Sequence, residues 1–211
     1  MKQISIDWSL YLVTDRTVVG NRSLLVVVEE ALKGGVTVVQ YREKHASTRI
    51  MLEEALALSR ICRFYRVPFL VNDRIDIAIA VDADGVHLGQ DDMPPAIARR
   101  IIGSGKIIGL TVHNEEEVVE AERQEVDYLS FAPVFATSTK PDHKTPLGIE
   151  GVAKLASKTR LPCVAIGGIK EHHVEMLAKT GIDGICVVSA ILGSENPEES
   201  ARRLRDLWKK R

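Results

Sequence analysis

Short apolar runs alternate with longer amphipathic stretches along the chain, and this alternation occurs eight times. Most of the runs are rich in β-branched residues, which is typical of strands that are buried on both faces of a parallel sheet. We expect one strand in each run, and the runs occupy residues 10–15, 37–44, 68–73, 85–90, 106–113, 127–135, 162–169 and 184–191.

The amphipathic stretches predict helices between the strands. One helix is expected to begin after Ser23 and to stop at Gly34, because serine is a common N-cap and glycine ends helices. The last helix is expected to begin at Pro197, since proline suits the first turn. Apolar side chains also recur at helical spacing in residues 51–65, 115–124 and 152–158.

Eight strand–helix units of roughly 20–30 residues predict a closed (β/α)8 TIM barrel. Open doubly wound sheets alternate in the same way, but eight units favour closure. No stretch rich in proline, glycine and serine divides the chain, so we expect one barrel domain over residues 1–211. In such barrels the active site lies at the carboxyl ends of the strands, which makes polar residues there candidates for function.

Composition restricts the class of partner. The chain has 211 residues, of which 45% are hydrophobic, and its formal net charge is -1. No overall field therefore draws nucleic acid or a membrane surface to it, and an anion has to be bound by local groups. Three distant cysteines, no signal-peptide core and no apolar run of transmembrane length lead us to expect a reducing cytoplasm.

The second strand ends in a pattern that suits an anion. Gln40, Arg42 and Lys44 alternate with Tyr41 and Glu43, so the first three side chains should point to one side of the strand. Two cations and an amide at a barrel mouth suit a phosphate or diphosphate. The alternative is a solvated strand end in which Glu43 pairs with a nearby lysine.

Two aspartates follow the third and fourth strands. Asp73 and Asp92 could each cap the helix that comes next, which is the commoner role for a lone aspartate in this position. Together, at neighbouring strand ends, they also suit Mg²⁺, which prefers carboxylate and phosphate oxygens and keeps several waters. The adjacent Asp91 is the weaker candidate, because successive side chains diverge.

The last two strands predict a phosphate site. Gly168 follows the seventh strand and Ser189 follows the eighth, and many barrels bind phosphate with these two loops. Glycines let backbone N–H groups approach a phosphate, and a helix start favours negative charge. A tight turn without a ligand is the alternative. The histidines remain open, with His87 either a core residue or a ligand, and His172 and His173 at a solvated helix start.

Read in chain order, several motifs together resemble the thiamine phosphate synthase family. They are TDR (14–16), QYREK (40–44), VND (71–73), GVHLGQDD (85–92), TSTK (137–140), AIGGI (165–169) and VVSAI (187–191). In that family an enzyme joins an aminopyrimidine methyl diphosphate to a thiazole phosphate and releases thiamine phosphate and diphosphate. The substrates are small molecules, and the resemblance suggests a compact homo-oligomer.

The resemblance also implies roles for residues. Arg42, Lys44 and Lys140 are implied to stabilise the leaving diphosphate, and Asp73 and Asp92 to ligate Mg²⁺. The pyrimidine diphosphate would be held by Gln40, Arg42, Lys44 and Asn72, with Lys140 at the diphosphate and Thr111 near the pyrimidine. The thiazole phosphate would be held by Thr137, Thr139, Gly168, Val188 and Ser189. Tyr41, Glu43 and Ser138 are further substrate-binding candidates. One departure is Ala136, where the family usually has proline, which could loosen that turn.

Three other functions compete with this interpretation. A thiazole tautomerase of the same superfamily would need neither the diphosphate cations nor the metal carboxylates. A sugar-phosphate isomerase or epimerase would need a general base, for which His87 and His113 are candidates. A catalytically silent barrel that binds thiamine precursors would not need the two aspartates.

Overall fold

Eight parallel strands close into a barrel in which each strand pairs with the next and the eighth pairs with the first. This closed strand order confirms the expected (β/α)8 TIM barrel. The computed structural model describes residues 6–137 and 145–210. Its strands are β1 Leu10–Val13, β2 Val38–Tyr41, β3 Phe69–Asn72, β4 Gly85–Leu88, β5 Ile107–Val112, β6 Tyr128–Phe131, β7 Cys163–Ile166 and β8 Gly184–Val187.

Helices follow the strands around the outside of the barrel. They are α1 Arg16–Val19, α2 Leu24–Lys33, α3 Thr48–Tyr65, α4 Ile75–Ala80, α5 Pro95–Ile102, α6 Glu115–Ala121, α7 Gly148–Ala156, α8 Glu171–Leu177, α9 Ser189–Leu192 and α10 Pro197–Lys209. In the part of the chain that the structure describes, no helix is long and apolar enough to cross a membrane.

Capping residues explain where several helices begin. α2 starts directly after Ser23 and α10 starts at Pro197, as the sequence predicted. The side chain of Asn196 accepts a hydrogen bond from the backbone N of Glu199 at 3.0 Å, which satisfies one free donor of the first turn of α10. α3 begins earlier than its apolar period indicated, at Thr48, because the preceding serine caps it.

The strands are shorter than the apolar runs that contain them. β2 ends at Tyr41, and the polar residues that follow continue as a loop at the carboxyl end of the barrel. The register places Val13 beside Gln40 and Asn72 beside His87, and all four residues line one cavity. Polar residues far apart in sequence therefore surround one barrel mouth.

The core has an outer layer and an inner layer. The outer layer packs the barrel wall against the helices and contains most of the buried aliphatic side chains. The inner layer fills the barrel itself and includes Trp8, Tyr11, Tyr128 and Cys186. The rings of Trp8 and Tyr128 lie 4.3 Å apart between centroids, and since Trp8 precedes β1, it closes the amino-terminal end of the barrel.

Closure between β8 and β1 depends on a glycine, and substitution there should be costly. A methyl group on Gly184 would overlap the backbone carbonyl of Trp8, which cannot move without separating the two strands. We expect Gly184→Ala to lower the free energy of unfolding by about 1–3 kcal/mol, as overpacking does. Urea denaturation measures this change.

Gly105→Ala provides the matched control, because a methyl group there meets nothing within 4 Å. Its effect should stay within about 0.5 kcal/mol, as for an ordinary surface substitution. Equal stabilities of the two variants would contradict the proposed constraint.

Candidate active site

A cavity of about 330 Å³ opens at the carboxyl ends of the strands. Of the residues singled out from sequence, it is lined by Gln40, Arg42, Asn72, His87, Thr111, Ala136, Thr137, Gly168, Val188 and Ser189. Its wall also contains residues that sequence reasoning missed, above all Tyr11, Ser130, Lys170 and Cys186. Side chains from both ends of the chain thus meet at one opening.

Gln40 and Arg42 line the cavity, as the period of two predicted, whereas Lys44 does not, because β2 ends at Tyr41 and Lys44 lies in the loop that follows. The Gln40 amide donates to the Tyr11 hydroxyl at 2.7 Å inside the barrel. The Arg42 guanidinium pairs with Asp15 at 3.1 Å between Nη1 and Oδ2, which fixes its direction at the cavity wall. The Lys44 ammonium pairs with Asp73, so the second cation of this strand end lies beside the candidate metal ligands.

The cavity lining does not include Lys44, Asp73 and Asp92, nor does it include Tyr41 and Glu43. Tyr41 is buried among the outer core residues, and its hydroxyl donates to Glu54 at 2.9 Å. The Glu43 carboxylate accepts backbone N–H groups of His45 and Ala46 at 2.6 and 3.1 Å, in place of the lysine pair considered from sequence. These two residues stabilise the strand and the loop that present the other three.

Asp73 and Asp92 cap no helix, which removes the commoner interpretation of each. The N-cap position of α4 is Arg74 and that of α5 is Pro94, and neither helix start has a side-chain cap. Instead, Asp92 accepts the backbone N–H of Gly89 at 2.7 Å. Burial raises the pKa of the Asp73 carboxyl, and the hydrogen bond and charge of Asp92 raise it further against the opposing effect of its lysine partner. The two carboxylates therefore lie side by side.

This pair fits the chemistry of a magnesium site. Two hard oxygen donors repel one another there, and a divalent cation would relieve that repulsion. In the described ranges, no group of three or more His, Cys, Asp and Glu residues could enclose a metal on its own. Mg²⁺ commonly binds to one or two carboxylates and completes its shell with water and substrate phosphate. Asp73 and Asp92 are thus the candidate ligands.

The opposite end of the cavity is formed by the glycine backbone after β7 together with Lys170. Gly168 has φ of 64°, and a methyl group on it would lie 2.7 Å from the Ala136 carbonyl oxygen and 2.9 Å from Cβ of Phe135. The loops after β6 and β7 therefore pack directly on each other. Ser189 is the first residue of α9, as expected, and the Arg22 guanidinium donates to the carbonyl oxygen of Ser194 at 2.6 Å just after this helix.

The histidines differ in their surroundings. Both ring nitrogens of His87 are hydrogen-bonded, at 2.7 Å to the Tyr128 hydroxyl and at 2.7 Å to the Thr111 hydroxyl. His113 donates from Nδ1 to the Ala132 carbonyl oxygen at 2.6 Å. The expected solvated helix start holds for the exposed His172 only.

His173 instead packs against the loop after β6. Its ring stacks on Phe135 with centroids 3.9 Å apart, and its Nδ1 accepts the backbone N–H of Lys170 at 3.1 Å. Burial lowers the pKa of His173, and the neighbouring His172 and Lys170 lower it further. This contact couples the start of α8 to the cavity wall near Gly168, against which Phe135 packs.

Comparison with known proteins decides the family. Residues 10–191 match the family model described as thiamine monophosphate synthase. The chain belongs to the thiamine monophosphate synthase family. It is an enzyme of thiamine biosynthesis and a transferase.

Individual relatives agree over almost the full length. The chain is 51% identical to the thiamine-phosphate synthase of Chloroflexus aurantiacus, over 96% of this chain and 93% of that protein. It is 48% identical to that of Syntrophomonas wolfei, over 98% and 99%. The solved thiamine phosphate pyrophosphorylase from Pyrococcus furiosus has a TM-score of 0.88 at 40% identity, with 97% and 96% covered.

Part of the family motif lies outside the described residues. Thr137 lines the cavity, whereas Ser138, Thr139 and Lys140 belong to the segment that the structure does not describe. Ala136, which departs from the family's usual proline, lies on the cavity wall and presses its carbonyl against Gly168. The turn at this position is thus held by contact with the next loop.

The packing of the two loops can be tested by adding one methyl group. Gly168→Ala should lower the free energy of unfolding by about 1–3 kcal/mol more than Gly148→Ala does. Both glycines have φ of 64°, so the cost of the left-handed backbone is common to both variants. Only at Gly168 does the methyl group meet other atoms. Chemical denaturation of both variants gives the difference, and equal losses would show that the loops separate freely.

Proposed function

We propose that this enzyme joins an aminopyrimidine methyl diphosphate to a thiazole phosphate, and releases diphosphate with thiamine phosphate. The observation that carries the proposal is the division of the barrel mouth. One end presents Arg42 on the wall and Lys44 beside the Asp73–Asp92 pair, and the other presents the glycine backbone near Ser189. Two differently built anion sites suit two phosphorylated substrates.

The assignment of residues follows this division. Gln40, Arg42, Lys44 and Asn72 hold the pyrimidine diphosphate in our proposal, and Thr111 contacts the pyrimidine. Thr137, Gly168, Val188 and Ser189 hold the thiazole phosphate. Outside the described residues, Ser138 and Thr139 would complete the thiazole phosphate site, and Lys140 would contact the diphosphate. Tyr41 and Glu43 take part by shaping the strand end that carries the cations.

Asp73 and Asp92 would hold Mg²⁺ in our proposal. When bound, Mg²⁺ supplies positive charge that stabilises the departing diphosphate. Arg42 also stabilises the departing diphosphate in our proposal. Its ion pair with Asp15 orients the guanidinium before the substrate binds. Lys44 already lies beside Asp73, so metal, ammonium and diphosphate would share one region.

The reaction requires charge stabilisation and alignment more than proton transfer. The bond between the pyrimidine methylene carbon and the diphosphate oxygen breaks, and its electron pair leaves with the diphosphate. The thiazole nitrogen then supplies the electron pair of the new C–N bond. Because the carbon is cationic between these events, the cavity has to align both reactants and exclude water. The cations of β2 stabilise the leaving group.

The competing functions would leave some residues of this site without a role. A tautomerase or a precursor-binding barrel would retain the phosphate end but would not need two carboxylates beside a lysine. An isomerase would need a base directed at its substrate, whereas both ring nitrogens of His87 are engaged. The cationic end therefore favours the synthase.

Two further features complete the proposal. We place the enzyme in a reducing cytoplasm, which is consistent with Cys62, Cys163 and Cys186 being buried and free of disulfides. We also propose a homo-oligomer, and the 80% exposure of Phe64 on α3 offers an apolar contact for another subunit.

The metal assignment predicts a defined loss. Asp73→Ala should reduce Mg²⁺-dependent diphosphate release by a factor on the order of 10² or more while leaving the fold intact, because one of two carboxylate ligands is removed. Release is measured with both substrates, with and without Mg²⁺, and thermal unfolding checks the fold.

Asp76→Ala is the control, since Asp76 is exposed and pairs with Arg74 on α4. It should retain wild-type turnover. No release by the wild-type enzyme would contradict the synthase function, and binding of both substrates without release would favour a precursor-binding barrel. Unchanged turnover in Asp73→Ala would contradict the metal site alone.

The segment outside the described residues carries a separate prediction. Lys140→Ala should slow turnover far more than Lys144→Ala. Of these two lysines, our proposal places Lys140 at the diphosphate and gives Lys144 no contact with it. Steady-state kinetics of the two variants measure the difference. Equal effects would mean that the segment contributes general positive charge and no specific contact.

A further inference from the structure

A continuous chain of hydrogen bonds crosses the barrel interior. Its two end residues, Gln40 and Thr111, both line the cavity. Gln40 Nε2 donates to the Tyr11 hydroxyl at 2.7 Å, and the Tyr11 and Tyr128 hydroxyls are 2.8 Å apart. His87 connects Tyr128 at Nδ1 to the Thr111 hydroxyl at Nε2, with 2.7 Å for each contact. All five residues are at most 8% exposed. Buried polar groups at such spacing orient one another.

The number of protons sets the direction of this chain. Burial raises the pKa of Tyr11 and of Tyr128, so each hydroxyl keeps one proton to donate. Since Tyr11 accepts from Gln40, it donates to Tyr128, and Tyr128 donates to Nδ1 of His87. The histidine proton then sits on Nε2 and is donated to Thr111.

The opposite direction leaves one proton without an acceptor. If Tyr128 donated to Tyr11, the Tyr11 oxygen would accept two hydrogen bonds. Its own hydrogen would then have no acceptor, because Gln40 and Tyr128 are its hydrogen-bond partners within the described ranges. An unsatisfied buried hydroxyl costs about 1–3 kcal/mol. With the Gln40 amide nitrogen facing Tyr11, the direction of the chain therefore runs from Gln40 to Thr111.

The two ends of the chain present opposite polarity to the cavity. The amide N–H of Gln40 is used inside the barrel, which leaves Oε1 as an acceptor. The Thr111 oxygen accepts from His87, which leaves its hydroxyl hydrogen as a donor. Within residues 6–137 and 145–210, neither of these groups has another hydrogen-bond partner, and both residues line the cavity.

We propose that Tyr11, Tyr128 and His87 are positioning residues that hold Gln40 as an acceptor and Thr111 as a donor. The cavity thereby selects an amino-substituted heteroaromatic ring over its oxo counterpart. This inference rests on the proposed function, in which these two ends contact the pyrimidine. An aminopyrimidine offers an amino donor beside a ring-nitrogen acceptor, whereas the oxo form offers a carbonyl acceptor beside a ring N–H donor. The oxo form would meet like groups at both ends, and mispaired buried polar groups discriminate strongly.

The direction of the chain has a spectroscopic readout that does not depend on activity. Long-range ¹H–¹⁵N correlation spectra of protein labelled with ¹⁵N-histidine should show neutral His87 protonated at Nε2. The resonance is assigned by its absence from a His87→Gln spectrum, or by single substitution of the remaining histidines if that variant does not fold. Protonation at Nδ1 would reverse the chain and overturn the proposal.

Selectivity is tested with Tyr128→Phe, which interrupts the chain and leaves the ring in place. Dissociation constants for the amino and oxo forms of the pyrimidine methyl diphosphate are measured by calorimetry without thiazole phosphate. The wild-type enzyme should prefer the amino form by a factor on the order of 10² or more. Tyr128→Phe should lose at least about tenfold of that preference. Affinity for inorganic diphosphate should not change.

Tyr65→Phe is the matched control, because its hydroxyl contacts Glu29 on the outer surface at 3.1 Å. It should keep the full preference for the amino form. If Tyr128→Phe does not fold, Thr111→Val replaces it, since valine removes the donor at similar volume. Thr111→Ser retains a hydroxyl and should restore the preference.

The outcomes separate this inference from the proposed function. A wild-type enzyme that binds neither pyrimidine and releases no diphosphate would overturn both. A wild-type enzyme that releases diphosphate, with a Tyr128→Phe variant that keeps the full amino preference, would overturn the positioning role alone. In that case the chain of hydrogen bonds would serve only to satisfy the barrel interior.

Discussion

Closure of the barrel between β8 and β1 is the constraint on which the site depends. The pairing of Leu10 with Ile185 and of Leu12 with Val187 joins the two ends of the sheet. Because all strands are parallel, closure brings every carboxyl end to one mouth. The cationic strand end of β2 and the glycine loop after β7 become walls of the same cavity only through this pairing.

In our proposal the site binds anions in a protein whose formal net charge is only -1. Its cations are held by neighbouring carboxylates, Arg42 by Asp15 and Lys44 by Asp73, so that each is oriented before a ligand arrives. The phosphate end contains the N-terminus of a short helix and closely packed glycines, which suit an anion without a large field. Oriented local groups, and not the net charge of the protein, would therefore bind the anions.

Much of the fold and half of the site could be predicted from sequence. Alternation of apolar runs and helical periods predicted the closed barrel, and the period of two at β2 separated Gln40 and Arg42, which line the cavity, from Tyr41 and Glu43. These signals are local, because side-chain direction follows from backbone geometry over a few residues. The same logic left Asp73 and Asp92 between a capping and a metal-binding role, since both depend on distances across strands.

The interior chain of hydrogen bonds shows most clearly what sequence leaves open. Tyr11 and Tyr128 are 117 positions apart and read as ordinary strand residues, yet their hydroxyls meet at 2.8 Å. A buried tyrosine hydroxyl requires a partner, and that requirement could have directed a search for one. It could not have named the partner.

The sequence by itself determined the order of the elements, the side chains at each strand end and the family. The tertiary structure decided which of them touch: Arg42 with Asp15, Lys44 with Asp73, and His87 with both Tyr128 and Thr111. The physical reason is that periodicity reports the direction of a side chain from its own backbone. Hydrogen bonds and ion pairs depend on atoms a few ångströms apart, and only barrel closure and register set those distances.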